Sequence, residues 1–342
     1  MMKKVVILFS VLSLSLAMTA QVNWGVTYTT EGHYGVNNRE AAWANLLALD
    51  MGVGLWQNAT LELTTLSSYD TCEGVTDDRQ VYSNIVADNR VLSLFVMELV
   101  QEWERVELGV GLGHINDHFF ATPHSGLFTG ASHGIFPTVG DNFGLGNFPV
   151  ASLGVHMNVR LTSHLHAHLH GGSGEASDKL SEQFRLRPDE DGLLGIGELC
   201  WDNDPDNEHR GSWHLGVVSA EHKGLCTGTS VFAYGDQPVV SWGNGSHAGV
   251  LLQGSWAGGS DAITCRRYGG AGLWGDALGS RDIYAGVIAN HAVYVDGWET
   301  DIELTSIIPL TPWLNVQPAV HFIDTDGHWD TVAMLRATIA LE

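Results

Sequence analysis

Polar and apolar residues alternate one for one along much of this chain. In LTSHLHAHLHGG (residues 161–172), His164, His166, His168 and His170 interleave with Leu165, Ala167 and Leu169. Successive side chains of an extended strand point to opposite faces, so a period of two predicts a strand with four imidazoles on one side. Just before it, ASLGVHMNVRL sets Leu153, Val155, Met157, Val159 and Leu161 against Gly154, His156, Asn158 and Arg160. Thr162 and Ser163 supply a turn, which predicts a hairpin whose polar faces coincide. VELGVGLGHI repeats the pattern, with Val106, Leu108, Val110 and Leu112 opposite Glu107, Gly109, Gly111 and Gly113. Near the C-terminus, Leu314, Val316, Val320 and Phe322 alternate with Asn315, Gln317 and His321. Leu335, Ala337, Ile339 and Leu341 then alternate with Met334, Arg336 and Thr338.

Turn-rich stretches such as GGSGEASDK, DNDPDNEHRGS and DTDGHWD separate these segments. The apolar faces admit two explanations: the core of a soluble all-β protein, or the lipid-facing surface of a membrane barrel. His156, Asn158, Arg160 and Arg336 stand in mid-strand, and glycines line the polar face of 107–113, leaving space on that side. Both features favour an antiparallel transmembrane β-barrel. A secreted soluble all-β binding protein is the alternative.

The first residues, MMKKVVILFSVLSLSLAMTAQ, combine Lys3 and Lys4 with an apolar run and small residues at Ala17 and Ala20. This reads as a signal peptide cut after Ala17 or Ala20, the second favoured, which gives a leader over residues 1–20 and one barrel domain over 21–342. Beyond it, no stretch reaches the roughly 18 consecutive apolar residues of a membrane helix.

Composition narrows the function further. Without the leader's two lysines the chain carries 39 acidic and 14 basic residues, a formal charge of −25. A nucleic-acid partner, which needs a basic footprint, is not expected. The acidity fits either a solvated surface or a lumen that favours cations. Four cysteines, Cys72, Cys200, Cys226 and Cys265, lack any CxxC spacing, which leaves a loop disulfide as the favoured use in an oxidising compartment. No nucleophile elbow, zincin or Walker pattern occurs, so no enzyme activity, catalytic residue, cofactor or metal-ligand set is assigned. The histidine ladder spreads over about 20 Å, too far for one closed zinc shell, and reads as a polar lumen stripe.

Three segments carry a resemblance. ERVELGVGLGHINDHFFATPHSGLFTGASHGIFP (104–137), NFPVASLGVHMNVRLTSHLHAHLHGGSG (147–174) and ETDIELTSIIPLTPWLNVQPAVHFIDTDG (299–327) resemble the carbohydrate-selective porin family, OprB type. The third is the most specific, and the order and spacing follow the family over most of residues 80–340. Residues 227–290 match poorly, and Glu342 stands where such barrels usually end on an aromatic residue. The resemblance implies a 16-stranded outer-membrane barrel for passive diffusion of carbohydrates and similar small solutes. A Gram-negative outer membrane, contact with its lipid and homo-oligomer formation follow from it. It also implies that the loop holding Asp117 and His124 folds inward and narrows the pore, with these two as constriction candidates, whereas Phe119 and Phe120 read as a hydrophobic plug that holds the loop to the wall.

Facing names the lumen candidates His156, Asn158, Arg160, His164, His166, His168, His170 and Arg336. The inward loop adds Asp117 and His124. A general or cation-preferring porin without sugar selectivity is the other transport reading.

Overall fold

A computed structural model describes residues 21–341, except 178, 205–209, 223–225, 244 and 280–281. The expected leader and Glu342 lie outside the described residues. The chain begins β1 (Val22–Gly35), β2 (Ala41–Trp56), β3 (Ala59–Asp70), β4 (Arg90–Glu102) and β5 (Val106–Gly113). After a long connection come β6 (Ser152–Arg160), β7 (Leu165–Ser173), β8 (Leu193–Asp202), β9 (Ser212–Glu221) and β10 (Gly228–Ser241). The series ends with β11 (His247–Gly259), β12 (Cys265–Leu278), β13 (Ile283–Tyr294), β14 (Trp298–Thr311), β15 (Leu314–Thr325) and β16 (His328–Leu341).

Each strand pairs with the next, and β1 pairs antiparallel with β16 (Val26 opposite Leu341), so sixteen strands close into one barrel. Closure leaves no sheet edge with unpaired backbone groups, the condition for a strand-built wall in lipid. Connections differ between the two ends. One end carries tight turns, residues 57–58, 103–105 and 312–313 among them. The other carries the long segments 71–89, 114–151 and 174–192.

The alternation is expressed as expected. Leu153, Val155, Met157 and Leu169 face outward, while His156 is buried inside. The outward surface is apolar all the way round, with Leu199, Leu215, Leu252, Leu273, Leu304 and Leu335 all exposed. In water this would be a large uncovered apolar patch on every side, which excludes the soluble alternative. Exposed Trp24, Trp56, Trp103, Trp201, Trp242 and Trp313 ring the short-turn end, and Tyr34, Trp43, Tyr69, Trp256 and Trp329 ring the other. Aromatic residues at both rims match the two membrane interfaces.

Two long connections turn into the barrel. Segment 114–151 leaves β5 and brings Phe119, Phe120, Ile135, Phe136, Val139 and Phe143 against inner-wall residues of β8, β9, β10 and β12. Its far end reaches β14, where Thr129 and Gly130 donate backbone N–H groups to Glu303. In a ring of sixteen strands β14 stands opposite β6, so the segment crosses the full bore. Segment 71–89 also turns inward, placing Ser83 on Glu31 of β1 and Asn84 on Arg336 of β16.

The expected disulfide is absent: all four cysteines are free and buried. Cys72 packs with Tyr82 in segment 71–89, Cys226 and Cys265 lie in the apolar plug, and Cys200 sits beside His214. Cys72, Cys226 and Cys265 behave there as small apolar groups, whereas the Cys200 thiol joins a polar cluster with Ser212 and His214.

Candidate functional site

The inner wall is built from carboxylates and imidazoles that interlock with the inward segments. On β4 to β10, His156 Nδ1 lies 2.8 Å from Glu98, while Asn158 donates to Glu107 at 2.6 Å. Glu198 holds His214 at 2.8 Å and His168 at 3.3 Å, and it accepts from the Tyr234 hydroxyl at 2.7 Å. That hydroxyl in turn accepts the Phe120 N–H at 2.7 Å, so the wall network ends on the plug. On the opposite side Glu303, fully buried, accepts from the Thr129 N–H at 2.8 Å and the Thr129 hydroxyl at 2.9 Å, and pairs with His133 at 3.1 Å. Glu299 accepts the backbone N–H groups of Arg79 and Gln80 at 2.6 and 2.8 Å. Charge-assisted bonds to backbone N–H groups are among the stronger hydrogen bonds, and they satisfy loop backbone that the apolar plug shuts off from water. Much of the chain's acidity therefore lies inside the barrel, anchoring loops.

The crossing segment divides the bore unequally. Its apolar side fills the region along β8 to β13. Toward β1 to β4 and β16 a cavity of about 490 Å³ remains, lined in part by Asn84, Asn116, Asn147, Arg79 and Arg336. Phe95, Phe148 and His114 line it too, with Phe95 4.7 Å from the His114 ring and 6.2 Å from the Phe148 ring. Amides, guanidinium groups and flat apolar rings thus face one space of mixed polar and apolar lining.

The residues proposed from sequence fall into different places. Arg336 lines the cavity, paired with Glu31 at 2.5 Å and with Asn84 at 2.6 Å. Asp117 is exposed beside His114, 3.4 Å away. His124 lies on the filled side, stacked on Trp274 at 3.4 Å between Asp236 and Asp276. His156 and Asn158 belong to the Glu98–Glu107 network. Arg160 is exposed near the short-turn end and donates to the Glu104 carbonyl at 2.6 Å.

The ladder is not uniformly bathed in water. His164 contacts the Asp202 carbonyl at 2.9 Å, and His166 lies 3.9 Å from the Asp202 carboxylate. His168 pairs with Glu198 and meets the Phe119 ring edge-on at 6.2 Å. His170 fits where Gly154 leaves room, since a side chain there would collide with its ring. Sequence reasoning missed Asn84, Phe95, Asn147, Arg79 and Glu303. Their positions depend on contacts between distant segments.

A closed barrel of this size, girdled by aromatics and crossed by an inward segment, is a porin. The carbohydrate-selective porin, OprB family, model matches residues 37–249, and the chain belongs to that family. The match begins earlier than the three resembling segments and stops before the C-terminal one. Among solved structures, the high-pH structure of Pseudomonas putida OprB is similar, at 14% identity and TM-score 0.79 over 96% of each chain. The anion-selective porin of Comamonas acidovorans shares 10% identity at TM-score 0.62, over 94% of this chain and 100% of the other. A trimer form of Vibrio cholerae OmpT shares 11% identity at TM-score 0.60, again over 94% and 100%. No curated protein matches the chain.

Proposed function

We propose that this protein is a passive diffusion pore for carbohydrates and similar small solutes in a Gram-negative outer membrane. The short-turn end faces the periplasm and the long-loop end the exterior, as in other barrels of this kind. The single observation that carries the sugar reading is the lining of the open half of the bore. A sugar loses water hydrogen bonds on entry; Asn84, Asn116, Asn147 and Arg336 offer replacements, and Phe95 and Phe148 offer rings to its C–H faces. Each contact is weak enough to release the solute onward. Family membership supports the same reading, and passage of this kind needs no catalytic group. Homo-oligomer formation is compatible with it.

Single-channel recording in a planar bilayer, with neutral sugars titrated in, is the test. Conductance steps that fall saturably as sugar is added are expected. Steps indifferent to sugar overturn the carbohydrate reading in favour of a general pore.

A further inference from the structure

Glu98, His118 and His156 come from β4, the crossing segment and β6, and their ligand atoms all lie within 4.8 Å of one another. Glu98 Oε1 is 2.8 Å from His156 Nδ1, and Glu98 Oε2 is 3.7 Å from His118 Nε2. The two imidazole rings stack 3.7 Å apart, centroid to centroid. Ligand atoms around a tetrahedral zinc ion with bonds of about 2.0–2.1 Å stand about 3.3 Å apart, a value the two Glu98 contacts bracket, each through a different carboxylate oxygen.

The other ring nitrogen of His156 bears on the same cluster. His156 is only 1% exposed, and its Nε2 has a carboxylate in front of it rather than a well-aligned hydrogen bond. Nε2 faces Glu107 at 3.4 Å, and Glu107 is itself fixed by Asn158. An ion on Nδ1 would set the tautomer that carries its proton on Nε2, aimed at Glu107. That is the carboxylate–histidine–metal arrangement by which outer partners orient a ligand. Gly109 makes room for the ring, since a side chain at that position would overlap it. Glu62 and His170 both stand within electrostatic reach, so three carboxylates and three imidazoles share the neighbourhood. The His118 side chain keeps 18% exposure, which gives an ion a way in.

We propose that Glu98, His118 and His156 form a site for a divalent transition-metal ion of the imidazole- and carboxylate-binding class, Zn²⁺ foremost, with Glu107 as the partner that orients His156. Two imidazoles and a carboxylate exclude Ca²⁺ and Mg²⁺ as preferred occupants. Loading joins the start of the crossing segment to two wall strands, a cross-link separate from the sugar path.

The test loads the purified full-length mature protein with Zn²⁺ in detergent, dialyses it and measures metal per chain. The comparison includes His118→Ala, Glu98→Gln and a control, His328→Ala, at a histidine whose side chain is 82% exposed. One retained equivalent is expected in wild type and control, with at least tenfold weaker binding in the other two. Heat-modifiable gel migration establishes that each variant is folded, and His118→Gln replaces His118→Ala if the latter is not. A wild type that keeps no zinc, or His118 variants that keep as much as wild type, overturns the proposal.

Discussion

At the scale of single residues, Arg336 shows what an inward charge does in this lumen. Its guanidinium lies 2.5 Å from Glu31, which also accepts from the Ser83 hydroxyl at 2.6 Å and meets His33 at 3.1 Å. Removing one partner of a buried ion pair strands the other, at a cost of about 3–5 kcal/mol. Arg336→Gln should therefore lower stability and leave an uncompensated carboxylate on the open side of the bore. The zero-current potential in a potassium chloride gradient should shift toward greater cation preference, and Glu31→Gln with Arg336→Gln should return it toward wild type. An unchanged potential in the single variant would show that this pair lies off the ion path. The inward facing of Arg336 was legible from alternation with Leu335 and Ala337. Its partnership with Glu31 was not, because the two meet only when the first and last strands pair.

At the scale of elements, strands announce themselves through period two, and the hairpin of β6 and β7 folds as its sequence indicates, polar faces together. Inward segments have no such period. Segment 71–89 is polar and turn-rich, which says loop but not where the loop goes; its destination is written on β1, β14 and β16. Asp78 gives that segment a pH dependence. It accepts the Tyr82 N–H at 2.6 Å, and burial, joined by the nearby Glu299 charge, pushes its carboxyl up to about 7. Undocked, the same group ionises near the ordinary carboxylate value of about 3.9. Between these values the docked form binds the extra proton, so docking is strongest below about pH 4, weakens steadily as pH rises to about 7 and stays weak above it. Limited proteolysis within 71–89 should thus be faster at pH 8 than at pH 6, relative to an Asp78→Asn variant measured alongside. Equal ratios at the two pH values would contradict this assignment.

At the scale of the whole molecule, sixteen strands, two aromatic rims and an acidic interior form one design. Barrel class and strand facing could be read from alternation, mid-strand polar residues and the glycines of 107–113. The division of the bore into a filled and an open half could not, since it depends on which distant carboxylate receives which backbone N–H. Export belongs to this scale as well. Residues 1–20 are proposed as a removed leader, so intact mass of the protein from outer membranes should correspond to a chain starting at Gln21; a mass retaining those residues would refute it. One consequence follows from the crossing segment. Its anchor on β14 sits 174 residues away along the chain from Thr129, on the far side of a ring that has no far side until β1 meets β16. The Thr129–Glu303 bond therefore depends on the curvature that brings β14 opposite β6, so the crossing segment and the rounding of the wall hold each other in place.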